Sequence, residues 1–163
     1  MWFSKSKSDP AKVARGLREQ VFSLPLSDTG IVPGPGHTRV WSVLMEIGYP
    51  KAVASLVTIA DGTTSLYFSN GGGIIGAGQH ESVRKAASTF IAVADGNANA
   101  FAPTTDHPLP ELGRVRFYLR TFDGLLTAEA GEEDLAKHRH RIWPLFILGH
   151  GVISALRQAS PQP

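Results

Sequence analysis

Cysteine is absent from the 163-residue chain. That excludes a disulfide framework, a thiolate nucleophile and zinc held by cysteine, and it permits a reducing compartment. Charge is sparse as well: 18% of residues are Asp, Glu, Lys or Arg and the formal net charge is +2, too small an excess to draw the chain to nucleic acid. Long apolar runs are also missing. The longest, residues 142–148, contains Pro144 and falls well short of the roughly 18 residues a membrane helix needs. The opening Met1-Trp2-Phe3-Ser4-Lys5-Ser6-Lys7 lacks the apolar stretch of a signal peptide. These absences together predict a cytoplasmic protein with no membrane insertion.

What the chain does have is core. With 42% hydrophobic residues, a domain of this length buries roughly 68–70% of the surface its unfolded chain exposes, which is enough without a staple. The 17 Gly and 11 Pro follow no fixed period and so read as turns. The expected organisation is a flexible N-terminal tail over residues 1–8, a single domain over 9–158 and a C-terminal tail over 159–163.

Asp9-Pro10 marks a helix start, a capping side chain followed by a proline whose missing N–H costs nothing there. Val13, Leu17 and Val21 then recur at helical spacing, leaving Lys12, Arg15 and Arg18 on a solvated basic face. Residues 24–39 hold three Pro and three Gly and read as a loop. Strands are expected over 40–47, 52–61 and 64–69, with Asp61-Gly62 as a two-residue type I′ turn and Asn70-Gly71 leading into 73–76. A helix follows over 79–94, closed by Gly96 in a left-handed cap. Beyond the proline-bearing stretch 97–113, residues 114–122 and 125–130 form a second hairpin about Asp123-Gly124. A helical turn over 132–138 precedes a last helix opening at Pro144, whose Gly149 and Gly151 suggest close backbone approach. The fold class is α+β: an antiparallel sheet of about five to six strands built from two Asp-Gly hairpins, with helices packed on one face. The arrangement loosely resembles profilin-like and roadblock-like regulatory domains, with a different element order and no shared motif; the resemblance implies nothing about function.

Few motifs carry chemistry. Gly71-Gly72-Gly73-Ile74-Ile75-Gly76, followed by Asp95, matches a dinucleotide fingerprint in letters only, because the strand before it is tied into a hairpin rather than a βαβ unit. A weaker form has backbone N–H groups near residues 76–79 holding an anion. Asp28-Thr29-Gly30 copies the aspartic-protease triplet but sits in a Pro/Gly loop, crowded by Pro25, Pro33 and Pro35, of a chain with at least three expected helices rather than an all-β body. His37, His80, His107, His138, His140 and His150 lack metal-ligand spacing, and residues 137–141 read as a solvated basic cluster. No metal, no cofactor and no catalytic residue is indicated.

One constellation stands out. Strand alternation over 114–122 puts Val115, Phe117 and Leu119 on one face, and Arg114, Arg116, Tyr118 and Arg120 on the other. Guanidinium groups fit carboxylate or phosphate bidentately and rings offer a stacking surface, so these four are the candidate binding residues. The expected function is a non-enzymatic binding or regulatory domain. It would engage a protein partner, a second copy of itself or an anionic small molecule through an exposed sheet face or a helix. The alternative is a small enzyme with its site near the Gly-rich loop 71–78.

Overall fold

The computed structural model describes residues 9–75 and 77–160. The expected N-terminal tail, and the last three residues of the C-terminal one, lie outside them. Helix α1 spans Pro10–Ser23, and the Asp9 side chain accepts a hydrogen bond from Ala11 N at 3.1 Å. Its inward face differs from the one its apolar spacing predicts. Val13 is 46% exposed, while Leu17, Val21 and Phe22 pack on the sheet and Arg18 turns inward to a buried carboxylate. A charged partner, invisible to apolar periodicity, sets this rotation.

The sheet has seven strands, one more than the upper expectation: β1 Val40–Gly48, β2 Val53–Ile59, β3 Thr64–Phe68, β4 Gly73–Ile75, β5 Ala102–Pro103, β6 Arg114–Thr121 and β7 Gly124–Gly131, in the order β4-β3-β2-β1-β6-β7-β5. All pairings are antiparallel. Strand β5 was hidden because two residues carry no period. Strands flanking both Asp-Gly steps pair with each other, but neither step is the type I′ turn expected. In the first, Gly62 N donates to Ile59 O and Ile59 N to Thr63 O, both at 2.9 Å, so Gly62 (φ +98°) closes a three-residue loop. In the second, Phe122 and Asp123 are the connecting pair, and Gly124 (φ +148°) already belongs to β7, opposite Thr121.

The helices cover both faces of the sheet, not one. On one side, Val43, Met45, Leu56, Phe117 and Leu119 meet Phe90 and Ile91 of α2 (Glu81–Gly96) and Leu145, Val152 and Leu156 of α4 (Trp143–Ala159). On the other, Trp41, Leu44, Val57, Ile59 and Tyr118 lie under α1 and the segment after it. Strand β1 is therefore buried along its whole length. Gly149 does mark close approach, since a Cβ there would lie 2.5 Å from Met45 Sδ; Gly151 has open space around it. Nor does Gly96 cap α2 in the left-handed region: the helix ends at Asn97 (φ −115°), whose side chain donates to Val93 O at 2.7 Å.

Asp95, near the end of α2, ties that helix to the start of β1. Its carboxylate accepts from Thr38 N, Thr38 Oγ1, Arg39 N and Val40 N at 2.7–3.0 Å. Burial pushes its pKa up, but these hydrogen bonds outweigh burial and hold it below the ordinary 3.8. A carboxylate depressed in the folded state stabilises above its unfolded pKa and loses that contribution as pH falls through the folded value. The stability difference between the wild type and Asp95→Asn is expected to shrink on titration from about pH 5 downward. A difference independent of pH, read by urea unfolding, would contradict the assignment.

Candidate functional site

The four candidate residues do share one face, and α1 lies over part of it: Tyr118 is buried there, while the Arg114 side chain at the far end stays 43% exposed. Register across the sheet explains what surrounds them. Tyr67 of β3, Ser55 of β2, Glu46 of β1, Arg116 of β6 and Glu129 of β7 stand opposite one another in a single transverse row. Glu46 is fully buried. From above, Arg18 of α1 grips it side-on, with Nε 2.9 Å from Oε2 and the terminal nitrogen 2.8 Å from Oε1, while Ser55 Oγ donates to Oε2 at 2.5 Å. The same Arg18 nitrogen also donates to His107 O at 2.6 Å, so the long connection after α2 is pinned at this point. Burial alone would lower the Arg18 pKa; the hydrogen bonds to Glu46 and its charge more than offset burial and raise it.

Each member of the arginine face has partners inside the chain. Arg114 and Arg116 both pair with Glu129, the former at 2.7 Å. Arg120 donates to Val21 O at 2.8 Å and Leu24 O at 2.7 Å, and its guanidinium lies 4.4 Å from the Trp41 ring centroid. It thus fastens the carbonyl end of α1, where a cation is favoured, and burial lowers its pKa. Tyr118 is fully buried and donates to Pro108 O; burial raises its pKa to about 12. Phe22 stacks on His107 at 4.1 Å and meets Tyr118 edge-on at 5.0 Å. Two polar atoms of the row, Tyr67 Oη and Arg116 Nε, are buried with no hydrogen-bond partner among the described residues.

Sequence reasoning placed the arginines on a common face and missed the acid they surround. The signal was available: Glu46 interrupts the otherwise uncharged strand Val40–Gly48, and a carboxylate at such a position needs a cation.

The Gly-rich segment has no dinucleotide architecture. Gly73–Ile75 is an edge strand antiparallel to β3, and Asp95 is occupied by the start of β1. Gly76, part of the expected anion site, lies outside the described residues. Among the described residues no group of three or more His, Asp or Glu is placed to share a metal ion, and no helix is long and apolar enough to cross a membrane. The basic cluster closes α3 (Glu132–Ala136): Lys137 pairs with Glu133 at 2.6 Å and Arg139 with Asp134 at 3.0 Å. His138, in the left-handed region at φ 58°, stacks on Trp143 at 3.6 Å.

A second surface is open. Residues 142–156, nearly all of α4, contain no Asp, Glu, Lys or Arg. Ile147 is 44% exposed, Gly151 and Ser154 are exposed beside it, and Trp143, Leu148 and His150 are half-buried. Burial holds His150 below its ordinary 6.5, with Glu132 opposing and Arg157 adding to that shift; the first charged side chain of the helix is Arg157, near its end.

No family model matches the chain, and no curated protein or solved structure is significantly similar to it. None of these comparisons supports the loose resemblance to profilin-like and roadblock-like domains.

Proposed function

We propose that this protein is a non-enzymatic, cytoplasmic binding domain that associates with a second copy of itself through the outer face of α4. The supporting observation is the uncharged exposed stretch of that helix, centred on Ile147. A surface helix ordinarily carries charge on its solvent side, and depletion of charge around exposed apolar residues is the compositional mark of an interface core. A two-fold contact suits it, because one patch then covers its own copy. Gly151, where a Cβ would meet no other group within 4 Å, leaves room for close approach of two helix backbones. The arginine face supports the reading in a different way: Arg120 fastens the carbonyl end of α1 over the sheet and Arg116 is paired with Glu129, which favours a helix rather than the sheet as the contact surface.

Sedimentation equilibrium tests this. The wild type is expected to dimerise with rising concentration and Ile147→Glu to remain monomeric, with an unchanged melting temperature because the position is exposed. A wild-type chain that stays monomeric at about 100 μM, where a contact of micromolar strength is saturated, would overturn the reading.

A further inference from the structure

Away from α4, the 35–37 loop, the β2–β3 turn and α2 line an open cavity of about 210 Å³. Its polar wall holds His37, Asp61, Arg84 and Ser88, and its apolar side holds Ile59 and Ile91. Asp61 and Arg84 carry opposite charges, yet among the described residues they form no ion pair within 4.0 Å. Each is held in place by backbone. Asp61 Oδ1 accepts from Thr63 N at 2.9 Å; Arg84 donates from Nε to Gly78 O at 3.4 Å and from a terminal nitrogen to Gln79 O at 3.1 Å. The backbones that carry these anchors touch. A Cβ on Gly78 would lie 2.0 Å from Gly62 O, and Gly62 adopts φ +98°, so steric clash at the one and backbone conformation at the other both call for glycine.

Two opposite charges kept apart in one cavity are preorganised for a ligand that carries both. We propose that this cavity binds a free α-amino acid with an aliphatic side chain. The carboxylate lies against the guanidinium of Arg84, the ammonium against the Asp61 carboxylate, and the side chain on Ile59 and Ile91. Size agrees: the volume equals that of about seven water molecules, close to the non-hydrogen atom count of valine or leucine. The site is independent of the α4 surface, and either can fail without the other.

An NMR titration of the full chain with L-leucine, L-valine and L-methionine tests it. Leucine is expected to shift the amides of Gly62, Arg84 and Ser88 with a dissociation constant of about 1 mM or tighter. On the wild type, 4-methylpentanoate, which lacks the ammonium, and 3-methylbutylamine, which lacks the carboxylate, should bind at least roughly tenfold more weakly. Arg84→Gln and Asp61→Asn should each weaken leucine to a similar degree, and Ser88→Leu, which fills the cavity, should abolish binding. All three positions are exposed, so the variants are expected to fold; the analogue comparison needs no variant and decides the matter if one does not. No shifts with any of the three amino acids, shifts mapping elsewhere, or equal affinity for the single-charge analogues would each overturn the proposal.

Discussion

Replacing Arg18 by methionine is expected to destabilise the protein by about 3–5 kcal/mol, the cost of leaving a buried charge without its partner. The Arg18 side chain is 11% exposed and that of Glu46 0%, so water cannot replace the lost guanidinium. Methionine keeps a flexible apolar side chain at position 18, and the contact of the guanidinium over the Phe22 ring is lost together with its charge and hydrogen bonds. The double variant Arg18→Met, Glu46→Leu should recover most of the loss, because the desolvation cost of the carboxylate disappears together with the need for its partner. Guanidinium unfolding of both variants measures the coupling. A loss under about 1 kcal/mol for Arg18→Met would show that the pair is solvated.

The arginine face should divide sharply under substitution. Arg120→Gln is expected to cost about 1.5–3 kcal/mol, since a charged donor serving two carbonyls at the end of α1 is removed, together with its contact on the Trp41 ring. Arg114, whose side chain is 43% exposed, should lose no more than about 0.5 kcal/mol on the same change. Far-ultraviolet circular dichroism during thermal unfolding separates the two. Equal, small losses at both positions would mean that α1 is not fastened through Arg120. Those arginines would then be available to the anionic ligand or partner that their spacing first suggested.

Much of the architecture was legible because it is written in local chemistry. Asp9-Pro10 starts α1, alternation over residues 114–122 separates core from arginine face, and Pro144 opens the last helix. The second covered face was not legible. It includes the contact between residues 18 and 46 beside the packing of Leu17, Val21 and Phe22 on the sheet, and no periodic pattern reports a pairing over that separation. Turn type was misjudged for a related reason: Asp-Gly favours positive φ wherever it falls, but strand register decides which position needs it, and in both cases only the glycine adopts it. Of the candidate site, the shared face was readable from alternation alone. What the arginines touch was not, because their partners come from α1 and β7.

The two borders of the sheet bear on how copies of this chain can meet. Strand β5 is two residues long and includes Pro103, which has no N–H to offer, and β4 is three residues long and begins with Gly73 at φ +150°. Short, kinked or proline-bearing borders are how proteins refuse an incoming strand from a neighbour. A sheet that accepts strands at both borders can add neighbours without limit, whereas a two-fold contact through a single patch, such as the α4 face proposed above, closes after one partner.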